Sequence, residues 1–254
     1  MILDKFRLDG KNAVVTGSSR GLGAAIAFAL AEAGANVACH GTTSEGKGIR
    51  DKVEKLGRRS LYIAGDIAKE EVRSELVQAT IKEFGSIDIL VNNAGMIRRA
   101  PAVEYSQEYW NEIIAVNLSA VFRLSQLAAQ DMLKRGAKGK IVNIASLLSF
   151  QGGILVPAYA AAKGGVAQLT KALANEWAGK GISVNAIAPG YMATDNTTAL
   201  RNDPVRSRQI LERIPAGRWG DPTDIAGATV FLCSTASDYV HGHVVAVDGG
   251  WLAR

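Results

Sequence analysis

The sequence predicts an α/β protein built on one doubly wound parallel sheet. Three observations carry that expectation. Short runs rich in Val, Ile and Ala alternate along the chain with longer segments of helical pattern. The runs are apolar almost continuously, as strands covered on both faces by helices must be. The first of them also passes through a glycine-rich turn directly into an Ala-rich helix. No Pro/Gly/Ser-rich linker, repeat or low-complexity tract intervenes, so residues 1–254 are expected to form a single domain.

The strand candidates are, in order, "NAVVTG", "ANVACHG", "SLYIAGD", "IDILVNNAG", "KIVNIAS", "ISVNAIAPG" and "HVVAVDGG". The segments between them are long enough for crossover helices. One stretch, 191–221, lacks any strand signal and follows a predicted strand end, which makes it a candidate lid over a ligand.

Composition narrows the function classes. Net charge is +5, but Lys and Arg are interleaved with Asp and Glu, as in "RDKVEKLGRR". The long basic run of a nucleic-acid tail is missing, so no nucleic-acid partner is expected. Neither a signal-like N-terminus nor an apolar run of roughly 20 residues is evident, so neither a membrane partner nor export is expected and the reading is cytoplasmic. Cys39 and Cys233 are the only cysteines and fit two reduced, buried thiols. His40, His241 and His243 read as strand and interface residues, and no metal is expected.

"VVTGSSRGLGAAIAFALAEAGA" is a phosphate cradle. Gly17, Gly21 and Gly23 let the backbone turn tightly and approach a pyrophosphate, while the helix start offers free N–H donors. Ser19, Arg20 and Leu22 complete the loop, and with a strand before and a helix after, the unit is of Rossmann type. An Asp or Glu ending the second strand would select NAD. Gly41 and Thr42 stand there instead, leaving room for an extra phosphate that Arg20 can reach. NADP(H) is therefore the expected cofactor, with NAD(H) the alternative.

In "YAAAK" Tyr159 and Lys163 lie one helical turn apart on one face. A phenol exchanges protons poorly at neutral pH, and a neighbouring cation is expected to bring its pKa down. Ser146 ends the strand "KIVNIAS", where the carboxyl edge of a parallel sheet faces the ligand crevice, and its hydroxyl can hold a carbonyl oxygen.

These motifs resemble the short-chain dehydrogenase/reductase family over essentially the whole chain: "TGSSRGLG", "NNAG", "AVNLSAVF", Ser146, "YAAAK" and "PGYMAT". The resemblance implies a catalytic tetrad of Asn117, Ser146, Tyr159 and Lys163, with Asn117 fixing a water that links Lys163 to solvent. It also implies that Asp66 and Ile67 meet the adenine and that Asn93, Ala94 and Gly95 run under the cofactor. Pro189, Gly190, Met192 and Thr194 would hold the nicotinamide end, and the C-terminal strand would serve a homotetramer. Within the family, "NNAGMIRRAPAVEYS", "ASLLSFQGGILVPAY" and "RIPAGRWGDP" resemble the branch that acts on 2-dehydro-3-deoxy-D-gluconate and related sugar acids. Gluconate 5-dehydrogenases, 3-oxoacyl-type ketoreductases and a non-catalytic nucleotide sensor are the alternatives.

An anionic sugar acid needs a cation. Arg98 and Arg99 directly follow "NNAGMI", where the chain leaves the crevice, and one of them is expected to bind the carboxylate unless Glu104 takes it. Gln151 and Asn196 are expected to meet hydroxyls.

Overall fold

The computed structural model describes all 254 residues. Strands β1 (Asn12–Val15), β2 (Asn36–Gly41), β3 (Ser60–Ala64), β4 (Ile89–Asn92), β5 (Gly139–Ile144), β6 (Ile182–Pro189) and β7 (Val244–Val247) form one sheet. All pair in parallel, in the order β3-β2-β1-β4-β5-β6-β7. Each coincides with a run singled out in the sequence.

The helices are α1 (Gly21–Glu32), α2 (Gly48–Lys55), α3 (Glu70–Phe84), α4 (Gln107–Ile114), α5 (Ala120–Lys134), α6 (Pro157–Trp177), α7 (Thr198–Asn202), α8 (Pro204–Arg213) and α9 (Ala226–Cys233). Strand pleating divides the core in two. Ala13, Val15, Val37 and Val91 point to the layer of α1, α2 and α9, packing with Ile26, Leu30, Val53 and Leu232. Val14, Ala38, Leu90 and Ile141 point the other way, toward Leu76 of α3, Leu124 and Met132 of α5, and Trp177 of α6. Because both faces are covered, the strands need apolar residues at successive positions, which removes the alternation from the sequence.

One helical run, Gln107–Lys134, contains a window apolar enough by composition to cross a membrane, which the sequence reading did not anticipate. Half of that window is buried within the fold. Val121, Leu124, Ala128 and Met132 belong to the core, so its apolarity is that of a helix packed on a sheet.

The chain leaves the sheet in opposite lateral directions from β1 and from β4. The crevice that this reversal opens at the carboxyl ends of the strands is where ligands bind in such sheets.

Candidate active site

The turn after β1 is packed closely against the segment that follows β4. Gly17 has φ +62°, and an added Cβ would come within 2.9 Å of Ala94 Cα. A side chain at Gly23 would overlap the Gly17 carbonyl and the Asn93 amide. Asn93 Nδ2 donates to the carbonyls of Thr16 and Gly17 at 2.9 and 3.0 Å, and Thr16 Oγ1 accepts from the amides of Asn93 and Ala94 at 2.9 Å each. The glycine loop and "NNAG" are thus stitched into one platform. Arg20 precedes α1 without a side-chain cap, so the first-turn N–H groups stay available to an anion.

His40, read from the sequence as strand packing, fixes this platform from behind. It is buried, its Nδ1 accepts from the Gly17 amide at 3.3 Å, and its Nε2 lies 3.1 Å from the Gly65 carbonyl. That pairing requires the neutral tautomer with Nε2–H donating. Burial supports it by lowering the imidazole's pKa.

A cavity of about 1000 Å³ runs from this platform over the carboxyl ends of β1, β4, β5 and β6. The residues expected to cradle a dinucleotide line it: Gly17, Ser19, Arg20, Gly21, Leu22, Gly23, Thr42, Asp66, Ile67, Asn93, Ala94, Gly95, Pro189, Gly190 and Thr194. Ser146, Tyr159 and Lys163 open onto the same space, as do Arg99, Gln151 and Asn196. An opening this long, with a tight glycine turn and uncapped amides at one end, fits a dinucleotide with space left for a small substrate.

Helix α6 begins with Pro157 at its first turn, which sets the start of the helix and hence the phase of Tyr159 and Lys163. Ala158 and Ala162 are fully buried beside Ile113, so the helix lies close and Tyr159 is left half-buried at the cavity wall. Lys163 is 3% exposed, and its Nζ donates to the Ile144 carbonyl at 2.6 Å. That Nζ lies 5.7 Å from the centre of the Tyr159 ring.

The protonation balance differs from the expectation that Lys163 alone lowers the phenol. Burial raises the Tyr159 pKa, while the Ser146 hydroxyl and the charge of Arg99 oppose the rise. Burial also lowers Lys163, to about 8. A cation that is itself desolvated and bonded to a carbonyl does less for its neighbour than the spacing suggests.

Asn117 lies off the cavity wall. It sits in a π-helical turn, Ala115–Ser119, between α4 and α5, and is fully buried. Its Nδ2 donates to the carbonyls of Met96 and Ile113 at 3.0 Å each, and its Oδ1 accepts from the Met96 amide at 3.1 Å. The wider turn lets the amide reach across to the segment after "NNAG", a recurrent use of π-bulges.

Two expectations need correction. Arg98 does not line the cavity, because Glu112, on α4, holds it through two hydrogen bonds of 2.8 and 2.9 Å. The compensating acid is thus Glu112 in place of Glu104, and only Arg99 reaches the crevice. Met192 is 4% exposed and packs into the core below the sheet, and the cavity wall at this point is Tyr191 and Thr194. Arg20 reaches the cavity but pairs with Asp195 at 3.2 Å, both side chains being more than 70% exposed. An ion pair so exposed is worth about 0–1 kcal/mol and leaves Arg20 available to a phosphate.

The segment 191–221 forms a short turn followed by α7 and α8, closed by a single bridge between Met192 and Gly220. It brings Leu200, Arg206, Gln209, Ile210 and Arg213 to the cavity, which Trp251 also lines. None of these was singled out from sequence.

The fold and this site define an oxidoreductase that binds a nicotinamide dinucleotide. Residues 17–252 match the family model described as enoyl-(acyl carrier protein) reductase, and the chain belongs to the short-chain dehydrogenase/reductase family. It is 53% identical over 254 residues, the full length of both chains, to the 2-dehydro-3-deoxy-D-gluconate 5-dehydrogenase of Escherichia coli. A solved structure from Agrobacterium tumefaciens, named for a proposed 2-deoxy-D-gluconate 3-dehydrogenase activity and holding NADP, is 55% identical with a TM-score of 0.92. That match covers 98% of this chain and 99% of the other. The gluconate 5-dehydrogenase of Burkholderia cenocepacia, crystallised with NADP and tartrate, is 40% identical over all of both chains, with a TM-score of 0.95.

Proposed function

We propose that the protein is an NADP(H)-dependent dehydrogenase of a sugar acid, of the 2-dehydro-3-deoxy-D-gluconate 5-dehydrogenase type. The observation that carries this reading is the opening of Ser146, Tyr159 and Lys163 onto the same cavity as the glycine platform. The dehydrogenase names and the bound NADP of its relatives support the substrate class and the coenzyme.

In this reading the free amides between Ser19 and Gly23, at the start of α1, would receive the pyrophosphate, the Gly17 amide being held by His40. Thr42, Ser19 and Arg20 surround the 2′-phosphate, Asp66 and Ile67 border the adenine, and Pro189, Gly190 and Thr194 border the nicotinamide. The bound dinucleotide supplies the hydride acceptor or donor. Ser146 Oγ holds the substrate oxygen, and Tyr159 Oη gives or takes its proton. Lys163 is anchored by Ile144 and orients the ribose side of the site, and Asn117 fixes the chain between Met96 and Ile113 behind it. Arg99, whose charge opposes the rise of the phenol's pKa, lines the cavity and donates to the Asn196 carbonyl at 3.5 Å. Segment 191–221 acts as the lid, with Asn196 and Gln151 facing substrate hydroxyls.

A single-domain cytoplasmic homotetramer completes the reading. The two buried free thiols support the compartment, and exposed Trp110, Phe122 and Tyr239 support further burial in an assembly.

The test is a panel of keto-sugar acids and uncharged ketones with NADPH and NADH in parallel. Turnover concentrated on six-carbon keto acids with NADPH is expected. Turnover confined to acyl thioester ketones, or to NADH, would overturn the substrate or the coenzyme respectively.

A further inference from the structure

Two cations of the lid, Arg206 and Arg213, line the cavity with no carboxylate of the chain to neutralise them, and of the two Arg213 is the one stacked on an aromatic ring. Arg213 is the last residue of α8 and forms no ion pair, whereas Arg98 and Arg218 are each held by an acid through two hydrogen bonds. Its guanidinium lies over the Trp251 indole, 4.0 Å from the ring centre. Its Nη2 donates to Gln151 Oε1 at 3.4 Å, and Trp251 Nε1 donates to the same oxygen at 3.2 Å. Two donors on one oxygen fix the orientation of the Gln151 amide, so its NH₂, which bonds to nothing in the chain, is left for a ligand.

Trp251 is itself anchored. It is 5% exposed and packs with Ile210, Ile214 and Leu147, and Leu147 directly follows Ser146. A stacked, hydrogen-bonded guanidinium has already lost much of its freedom before a ligand arrives, and its remaining N–H groups present a fork matched to a carboxylate.

We propose that Arg213 is the residue that selects the carboxylate of the substrate, with Trp251 and Gln151 as the positioning residues that set its plane. The inference rests on the sugar-acid reading above. In a six-carbon acid oxidised at C5, the carboxylate lies four C–C bonds from the reacting carbon, roughly 5 Å along an extended chain. Arg99 follows β4, and its Nη2 donates to the Asn196 carbonyl at 3.5 Å. Arg213 meets Gln151 from the end of α8, so a carboxylate held there would tie that helix to the loop after β5.

The test is calorimetric binding to the NADPH-loaded protein, where an alcohol forms a complex that cannot react. The probes are gluconate and glucitol, six-carbon polyols with and without the carboxylate. In the unsubstituted protein gluconate is expected to bind at least tenfold tighter. Arg213→Gln should raise the gluconate Kd tenfold or more and leave that of glucitol within twofold. Arg213→Lys should recover part of the loss, and Trp251→Phe should weaken gluconate by a smaller factor, again with little change for glucitol. Discrimination that survives Arg213→Gln but is lost in Arg99→Gln would overturn the assignment while sparing the sugar-acid reading. Equal weakening of both probes by Arg213→Gln would reduce Arg213 to a structural role. No preference for gluconate in the unsubstituted protein would overturn the sugar-acid reading itself, and this inference with it.

Discussion

Replacing Lys163 by Met should change the pH dependence of stability in a direction fixed by the burial of the ammonium. Lys163 is 3% exposed, and its pKa falls from 10.5 to about 8, caused by desolvation. At about 1.4 kcal/mol per tenfold change in proton affinity, that displacement destabilises the folded state by about 3 kcal/mol below pH 8, where the group is charged in both states. Between pH 8 and 10.5 the unfolded chain binds the proton and the folded chain does not, so stability rises with pH; above 10.5 the penalty is gone. The Lys163→Met variant would carry no such penalty but would leave the Ile144 carbonyl without its Nζ donor, a loss of roughly 1–3 kcal/mol. At pH 7 the two effects nearly cancel, and the variant is expected to melt at or slightly above the parent. By about pH 9.5 the parent should have gained about 2 kcal/mol relative to the variant, or ~4–8 °C in Tm for a chain of this size. Other titrating groups are common to both proteins and drop out of the difference. Burial displaces Tyr159 upward, away from this range. The assay is thermal unfolding of coenzyme-free parent and variant from about pH 7 to 9.5. A Tm gap that does not move with pH would refute a desolvated Lys163 that loses its proton in this range.

Tyr159→Phe removes the hydroxyl at the cavity wall and little volume, so turnover should fall by roughly 10²- to 10⁴-fold while the coenzyme Kd stays within a few-fold; activity within tenfold of the parent removes Tyr159 from its role. Thr42→Asp places a carboxylate beside the expected 2′-phosphate, and a repulsion of ~1–2 kcal/mol should weaken NADPH about tenfold and leave NADH unchanged, read by fluorescence titration. An unchanged NADPH/NADH ratio would mean that Thr42 does not border that phosphate. Arg98→Ala breaks a half-exposed ion pair with Glu112 and the contact of its guanidinium with the Tyr109 ring, and Arg98 itself does not line the cavity, so kcat/KM for a keto acid should stay within threefold and Tm within about 4 °C; a selective tenfold loss on acids would return Arg98 to the site.

The sheet was legible because burial on both faces forces each strand to be apolar at successive positions, and the glycine loop because a side chain at Gly23 would meet the Gly17 carbonyl. Sequence order failed where a side chain is claimed from a distance. Arg98 and Arg99 are adjacent and chemically identical, yet α4 returns Glu112 to one of them and leaves the other to the crevice. Met192 lies inside a motif whose neighbours line the cavity, but the chain beyond β6 turns its side chain into the core. Arg213 and Trp251 were unreadable for the same reason, since Gln151 meets them across 62 and 100 residues of chain.

The Tyr159–Lys163 pair shows a subtler limit. A spacing of four residues on a helix establishes that two side chains share a face, and it did so correctly. It carries no information about solvent, and the sign of a pKa shift depends on solvent as much as on neighbours. Here the tight packing that brings Lys163 under the site also strips its water, lowers its own proton affinity and commits its Nζ to Ile144. Activation of the phenol therefore does not follow from the two residues alone. The Ser146 hydroxyl and the positive charge of Arg99 also act on Tyr159, both against the effect of burial. The environment of the Tyr159 phenol is thus set by residues drawn from α6 and from the segments that follow β4 and β5, and no single motif in the sequence contains it.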